Sequence, residues 1–356
     1  MSLSASDQAH SVVGLYGDPT VSWSILLEAR LASVPSQGDV RERLRAAVAR
    51  YPHLGAVPEV ETRRAAELPD VRARFAEAPF ERGEPLIRVA ICGDEPVVLI
   101  AAHHGAIDGM GLLAMLGLVL DVQISSAARG IGARSADRSF FVSALQRLAE
   151  ALFAPPTRIR PDGAKPSTAD VFVVRHEPRM RLGAAQFVAA AAHATERWNG
   201  AHGAPRVVAA IGASNRGGAE PEPVRDSAFF RLRLKPAPDS EDVAKVLAAQ
   251  PPEPDFPARG SKIARLGTRL LAGRLGSTFL VSNLGVVSAP DVVRSISFYP
   301  AASGRSGVAF GAVTIGDTST VTVRARRKDF DEAAVGRLAD GLVLALRLQG
   351  SRSRSG

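Results

Sequence analysis

The segment from residue 97 to residue 122 constrains the fold of this chain more than any other stretch. Residues 97–102 form a continuous apolar run, VVLIAA, which is typical of a β-strand buried on both faces. The sequence HHGAIDG, residues 103–109, follows directly, and residues 111–122 then have the composition of an apolar helix. The histidine pair is therefore predicted to lie on a loop between a buried strand and a buried helix, which is an α/β arrangement.

Histidine in such a loop is suited to acid–base chemistry. A neutral imidazole is the side chain best matched to general-base work near neutral pH. We predict that His104 takes a proton from a nucleophile, that Asp108 stabilises the loop, and that Gly109 lets the backbone approach a ligand closely. A tetrahedral oxyanion has three candidate donors, the backbone N–H of Gly109 and the hydroxyls of Ser282 and Ser306.

Two other interpretations of the histidine pair stay open. The first is a metal site, but His103 and His104 point to opposite sides of an extended strand, and no second pair of ligands has the spacing of a zinc site. The second is a pair of structural histidines in a loop. The spacing through Asp108 and Gly109, set between an apolar strand and an apolar helix, favours catalysis over both.

The chain of 356 residues is longer than a single hydrophobic core usually holds, so two lobes are expected. A proline-rich stretch at residues 154–170 is the best linker candidate. The predicted domains are residues 1–160, which carry the histidine motif, and residues 165–350. Residues 351–356 form a basic tail that is predicted to be disordered. Each lobe is expected to contain a mixed sheet flanked by helices.

Hydrophobic periodicity predicts the individual elements. In the first half it predicts strands at residues 21–31, 86–92 and 97–102, and helices at residues 37–51, 111–122 and 139–153. In the second half it predicts strands at residues 171–175, 206–212, 228–234, 278–282, 306–315 and 320–326, and helices at residues 183–198 and 331–348. Residues 320–326 alternate strictly, as a half-exposed strand does.

Composition narrows the partners. The formal net charge is +8 and aromatic residues are 5%, without a basic-aromatic recognition module, so nucleic acid is disfavoured. Coenzyme A or a phosphopantetheine arm is therefore the favoured anionic partner for a chain with this positive net charge. Cys92 is the single cysteine, which excludes an intramolecular disulfide. The N-terminus lacks the pattern of a signal peptide, and the longest apolar run, residues 110–120, is too short to span a membrane. A cytoplasmic location is expected.

The motif and its surroundings resemble the chloramphenicol acetyltransferase-like superfamily. Within it the chain looks most like nonribosomal peptide condensation domains and the polyketide-associated acyltransferases that esterify lipid diols. The resemblance rests on residues 44–54 (LRAAVARYPHL), 79–91 (PFERGEPLIRVAI) and 97–113 (VVLIAAHHGAIDGMGLL). More loosely, it extends to residues 212–218 (GASNRGG) and 277–287 (STFLVSNLGVV).

The resemblance implies two α/β lobes with mixed sheets, arranged in a V around a central channel. It implies that His104 is the catalytic base, that His103 supports it and that Asp108 is structural. It further implies that Arg216 pairs with Asp108 across the lobes. Asn283 and Gly285, in an Asn-Leu-Gly turn, are expected to lie near the channel.

The function implied is transfer of an acyl group other than aminoacyl from acyl-CoA or an acyl carrier protein. The expected acceptor is an alcohol, and the product is an ester. Amide formation with an amine and an inactive relative that only binds a carrier are the alternatives. No metal or redox cofactor is expected. The Gly-Asn pattern often found in this family is absent near residues 226–229, and the plant-type DFGWG motif is also absent, so the substrate class and the completeness of the donor channel stay open.

Overall fold

A computed structural model describes residues 7–9, 22–81, 83–132, 134–137, 139–200, 206–254 and 276–352. Among these residues, none of the helices is both long and apolar enough to cross a membrane. The helices are α1 (Gln37–Arg50), α2 (Leu68–Glu77), α3 (Gly109–Leu120), α4 (Phe140–Phe153), α5 (Ala184–Asn199), α6 (Ser240–Ala249) and α7 (Glu332–Arg352). The strands are β1 (Ser24–Leu31), β2 (Val60–Arg63), β3 (Ile87–Cys92), β4 (Val97–His103), β5 (Ser125–Ser126), β6 (Asp170–Glu177), β7 (Val208–Ser214), β8 (Ser227–Arg233), β9 (Phe279–Ser288), β10 (Val293–Tyr299), β11 (Val308–Ile315) and β12 (Thr318–Arg326).

The first lobe is built on a five-stranded mixed sheet in the order β10-β1-β4-β3-β2. β4 is buried along its whole length, as its continuous apolar sequence predicts. Helices α1 and α3 pack on one face of the sheet and α2 packs on the other. α1 buries the predicted face, Val40, Leu44, Ala47 and Val48, and its first turn is capped by the Ser36 hydroxyl, which accepts from the Asp39 N–H.

The second lobe is built on a seven-stranded mixed sheet with the main order β6-β12-β11-β9-β7-β8. Its outer face is covered by α5 and α7. Its other face meets the first lobe. The predicted α/β class with two mixed sheets is therefore confirmed.

Two strands exchange between the lobes. β10 comes from the second half of the sequence but pairs with β1 in the first sheet, and β5 comes from the first half but pairs with β9 in the second. The domain boundaries at residues 160 and 165 stay a prediction. A division at these residues does not describe the exchange of β5 and β10 between the two sheets. Residues 351 and 352, which were expected to be disordered, belong to α7, which runs through Arg352; residues 353–356 lie outside the described part, so the expectation for them stays a prediction.

The expectation of a half-exposed strand at residues 320–326 is wrong. β12 is buried on both faces, because its apolar side chains pack under the helices and its polar side chains face the first lobe. Arg324, for example, donates to the carboxylate of Asp170 at 2.7 Å and to the carbonyl of Ser24 in β1 at 2.6 Å. Polar alternation here marks an interface between lobes, not a solvated surface.

Candidate active site

A cavity of about 510 Å³ lies between the two lobes. It falls in the usual size range of small-molecule sites, and its walls are mainly apolar. The first lobe contributes Trp23, Ile25, His104, Asp108, Gly109 and Met110. The segment formed by the end of β10 and the residues after it contributes Phe298, Pro300 and Ala301. The second lobe contributes residues from β7, β8, β9 and the start of α5, among them Leu182, Gly183, Val188, Gly212, Phe229, Ser282 and Asn283. Part of the histidine motif therefore faces a chamber that both lobes build.

His104 lies just beyond the end of β4, where the strand leaves the sheet. Its backbone N–H donates to the Trp23 carbonyl at 2.8 Å, which holds the loop against β1. Its Nδ1 lies 3.3 Å from the Ile107 carbonyl oxygen. A carbonyl only accepts, so Nδ1 carries the hydrogen and Nε2 keeps its lone pair. The ring centroid is 6.4 Å from that of Phe229 in β8.

The electrostatic setting keeps the His104 imidazole neutral. Burial lowers its pKa from 6.5 to about 4; the bond to Ile107 opposes this shift and the charge of Arg225 adds to it. The basic form therefore prevails at neutral pH, with Nε2 able to accept a proton.

His103 points away from the cavity, as the alternation of an extended strand requires. Its buried ring packs edge-on against Phe80 with 5.5 Å between centroids, and its Nδ1 accepts from the Gly105 N–H at 3.2 Å. These contacts are inside the first lobe. His103 thus supports the loop from behind and does not touch the chamber.

Asp108 joins the two lobes through backbone amides. One carboxylate oxygen caps α3 by accepting from the Gly111 N–H at 2.9 Å, and the other accepts from the Asp226 N–H, in the loop before β8, at 2.9 Å. Burial raises the pKa of Asp108, and the two amide bonds act in the opposite direction. The carboxylate therefore fixes the start of α3 to the second lobe.

The expected ion pair between Arg216 and Asp108 is not formed. Arg216 is largely exposed and instead pairs with Glu222 and, at 2.7 Å, with the Asp226 carboxylate. The buried Asp108 carboxylate has its oxygens satisfied by amides, so it has no need of a distant cation. Arg216 reaches Asp108 only indirectly, since the residue that it pairs with also supplies an N–H to Asp108.

Gly109 marks a close approach of the lobes. A β-carbon at this position would lie 2.7 Å from Leu284 Cδ2 and 3.0 Å from Phe298 Cζ, which is closer than packed atoms allow. The β9 strand and the crossing strand β10 therefore pack directly on the start of α3. Gly109 lines the chamber at the point where α3 contacts Leu284 and Phe298.

Asn283 and Gly285 lie on the chamber wall, but not in a turn. β9 continues through both residues, and its register against β11 shows one extra residue, a bulge in which Gly285 has φ of +78°. The Asn283 side chain accepts from the Gly285 N–H at 2.8 Å and donates to the Leu182 carbonyl at 2.9 Å. The expected turn is thus a bulge that ties β9 to the segment before α5.

The oxyanion candidates separate in the structure. Ser282 and Gly109 line the chamber. Ser306 is fully buried elsewhere, where its hydroxyl accepts from the Ile159 N–H at 2.9 Å. Among the described residues, no group of three or more His, Cys, Asp or Glu side chains is placed to hold a metal ion.

Two wall residues went unnoticed in the sequence. Trp23 is not part of a recognisable motif. Its φ of +56° is unusual for a bulky side chain, and nothing in the sequence predicts this conformation. Phe229 sits in a predicted strand, and only the pairing of β8 with β7 brings it to the cavity. Both depend on contacts between residues distant in sequence.

No protein-family model matches the chain, and no curated protein matches it. Solved structures do match. A mutant of the starter condensation domain of rhizomide synthetase, in complex with C8-CoA and Leu-SNAC, has a TM-score of 0.61 at 15% identity, over 98% of this chain and 94% of that one. The epimerization domain from the third module of tyrocidine synthetase B has a TM-score of 0.53 at 13% identity, over 98% and 94%. The EpoB cyclization-docking bidomain from Sorangium cellulosum has a TM-score of 0.58 at 13% identity, over 97% and 83%.

Proposed function

Since the chain has the two-lobed fold of the condensation domains, we propose that it is an acyltransferase. It moves an acyl group other than aminoacyl from a thioester of coenzyme A or a carrier protein to an alcohol, and it forms an ester. The observation that carries this proposal is the neutral His104 imidazole, whose Nδ1 is engaged with Ile107 and whose ring lines an apolar chamber between the lobes.

The chemistry follows from that placement. The alcohol donates its O–H to Nε2 of His104 while its oxygen attacks the thioester carbonyl carbon. The tetrahedral intermediate then expels the thiolate, which takes the proton back from the imidazolium. General-base help of this kind contributes about 10²–10⁴-fold in rate. The apolar walls keep water from competing for the thioester.

The chamber walls support the proposed donor. The carboxylate of Asp108 is the acidic group on the wall, and its oxygens already accept from two amides. The mainly apolar walls favour an acyl group without a charge, because an ammonium would exchange full hydration for a few polar contacts, which is costly. The match whose complex contains C8-CoA supports a thioester of a simple acyl group.

The second candidate is amide formation with an amine acceptor. It is favoured by the same matched structure, which also contains Leu-SNAC, an aminoacyl thioester. The chemistry at His104 would be the same. The third candidate, an inactive carrier-binding relative, has no use for a neutral imidazole in the chamber. We propose that the reaction proceeds without a metal or redox cofactor and in the cytoplasm.

The test is transfer measured by intact mass of products, with acyl-CoA donors and a panel of alcohols and amines. We expect esters from the wild type and a loss of about 10²–10⁴-fold in kcat for His104→Ala. His176→Ala is the matched control, since His176 is an exposed histidine on β6, outside the chamber, and should keep full activity. Amide products alone would support the second candidate. Near wild-type transfer by His104→Ala would refute the mechanism.

A further inference from the structure

The wall that the second lobe contributes to the chamber lacks side chains at two positions, Gly212 and Gly183. Gly212 lies in β7, paired with Phe229 of β8 and Ser282 of β9. A β-carbon there would meet only the Ser282 hydroxyl, at 4.0 Å. A β-carbon on Gly183, just before α5, would meet no atom within 4 Å.

No steric contact requires glycine at either position, although Gly183 is the N-cap residue of α5, where glycine is one of the favoured residues. Both have ordinary backbone angles open to any residue, unlike Gly285 in the β9 bulge. Neither is squeezed by a neighbour, unlike Gly109. Glycine inside a strand is also less stable than alanine, because it loses more conformational freedom on folding. Gly183 and Gly212 therefore leave space in the chamber that a side chain would fill.

The space has the character of a hydrocarbon site. Its neighbours on the same wall include the apolar side chains of Leu182, Phe229 and Leu280 and the hydroxyl of Ser282. The chamber volume of about 510 Å³ lies within the usual range of small-molecule sites, and the two glycines leave the space beside them unfilled. Phe229 is paired with Gly212, and its ring centroid lies 6.4 Å from that of His104, so this wall is next to the histidine.

We propose that Gly212 and Gly183 are specificity-determining residues that keep the chamber open for an acyl chain longer than acetyl. The inference rests on the proposed function, since it assigns the space to the acyl donor. Side chains added at these positions shorten the chamber while leaving the His104 end unchanged.

The experiment compares acetyl-, octanoyl- and dodecanoyl-CoA as donors for the wild type and for Gly212→Ala, Gly212→Val and Gly183→Leu. We expect the wild type to prefer the longer chains. Gly212→Val should lower kcat/KM for dodecanoyl-CoA by about 10- to 200-fold, the usual effect of a methylene-sized misfit, with little change for acetyl-CoA. Gly212→Ala, whose β-carbon would lie at an ordinary van der Waals distance of 4.0 Å from the Ser282 hydroxyl, should fold normally and give a smaller change in the same direction.

Gly341→Ala is the matched control. Gly341 lies in α7, its β-carbon would also meet nothing within 4 Å, and it is not on the chamber wall, so chain preference should not change. Equal loss for all chain lengths in the Gly212 variants would overturn the inference, and so would a change confined to acceptor preference.

Binding of dodecyl-CoA, an unreactive thioether, separates this inference from the proposed function. Weaker dodecyl-CoA binding in Gly212→Val, with no transfer by any form of the protein, would refute the acyltransferase but keep the chamber assignment. Unchanged dodecyl-CoA binding in Gly212→Val and Gly183→Leu, with active wild type, would refute the chamber assignment alone.

Discussion

Replacing Asp108 by alanine should loosen the contact between the lobes. The substitution removes the cap of α3, a loss of about 0.5–2 kcal/mol, and leaves the part-buried Asp226 N–H without its acceptor, a loss of about 1–3 kcal/mol. The raised pKa of Asp108 shows that its ionised form carries a burial cost, which partly offsets these losses. The net expectation for Asp108→Ala is about 2–4 kcal/mol.

Thermal unfolding measures this effect. Scaling the average entropy per residue to 356 residues gives about 0.75 kcal/mol/K, so the melting temperature should fall by about 3–5 °C. Asp108→Asn should cost less than Asp108→Ala, since it removes the buried charge and keeps one oxygen to accept from an amide. Asp239→Ala is the control: Asp239 caps α6 through one N–H, that of Asp242, within a single lobe, and should cost about 1 kcal/mol. A melting temperature of Asp108→Ala no lower than that of Asp239→Ala would refute the role assigned to Asp108.

Three further outcomes are expected. The low-pH limb of the kcat/KM profile should have its midpoint near the His104 pKa of about 4, and a midpoint near 6.5 would contradict this. The free energy of unfolding should fall as the pH drops below 6.5, because His104 in the unfolded chain then binds a proton that it does not bind in the folded protein. Arg216→Ala should change stability by less than about 1 kcal/mol, because its pairs are exposed, and a loss as large as that of Asp108→Ala in urea unfolding would restore the direct pairing. Gly109→Ala should cost about 1–3 kcal/mol by overpacking against Leu284, measured by thermal unfolding, and an unchanged melting temperature would show that the lobes separate more easily than the contact implies.

The predictable part of the structure is local in sequence. The strand, loop and helix over residues 97–122 and the buried face of α1 follow from apolar runs and periodicity within a few residues, and the structure has both. His104 could be singled out because its whole motif is contiguous. The residues that flank it in space, such as Trp23 and Phe229, come from other strands.

β2, α2 and α6, which lie within single lobes, were not predicted from the sequence, and three further differences depend on contacts between the lobes. β10 was not predicted either. This strand pairs with β1 of the first sheet, and no local sequence pattern encodes that pairing. The alternation of residues 320–326 predicts a half-exposed strand, whereas in the structure its polar side chains contact the other lobe, as Arg324 does at the Ser24 carbonyl. Arg216 was assigned to Asp108 by resemblance, whereas backbone amides, which carry no sequence signal, hold that carboxylate.

The protonation state of His104 is the central claim, and nitrogen NMR of histidine-labelled protein measures it directly. The His104 resonances are assigned by their absence from His104→Gln. We predict a neutral ring at pH 7 with the hydrogen on Nδ1, an unprotonated Nε2, and a titration midpoint near 4. A ring that is charged at pH 7, or one whose hydrogen sits on Nε2, would contradict its role as the base that receives the proton of the nucleophile.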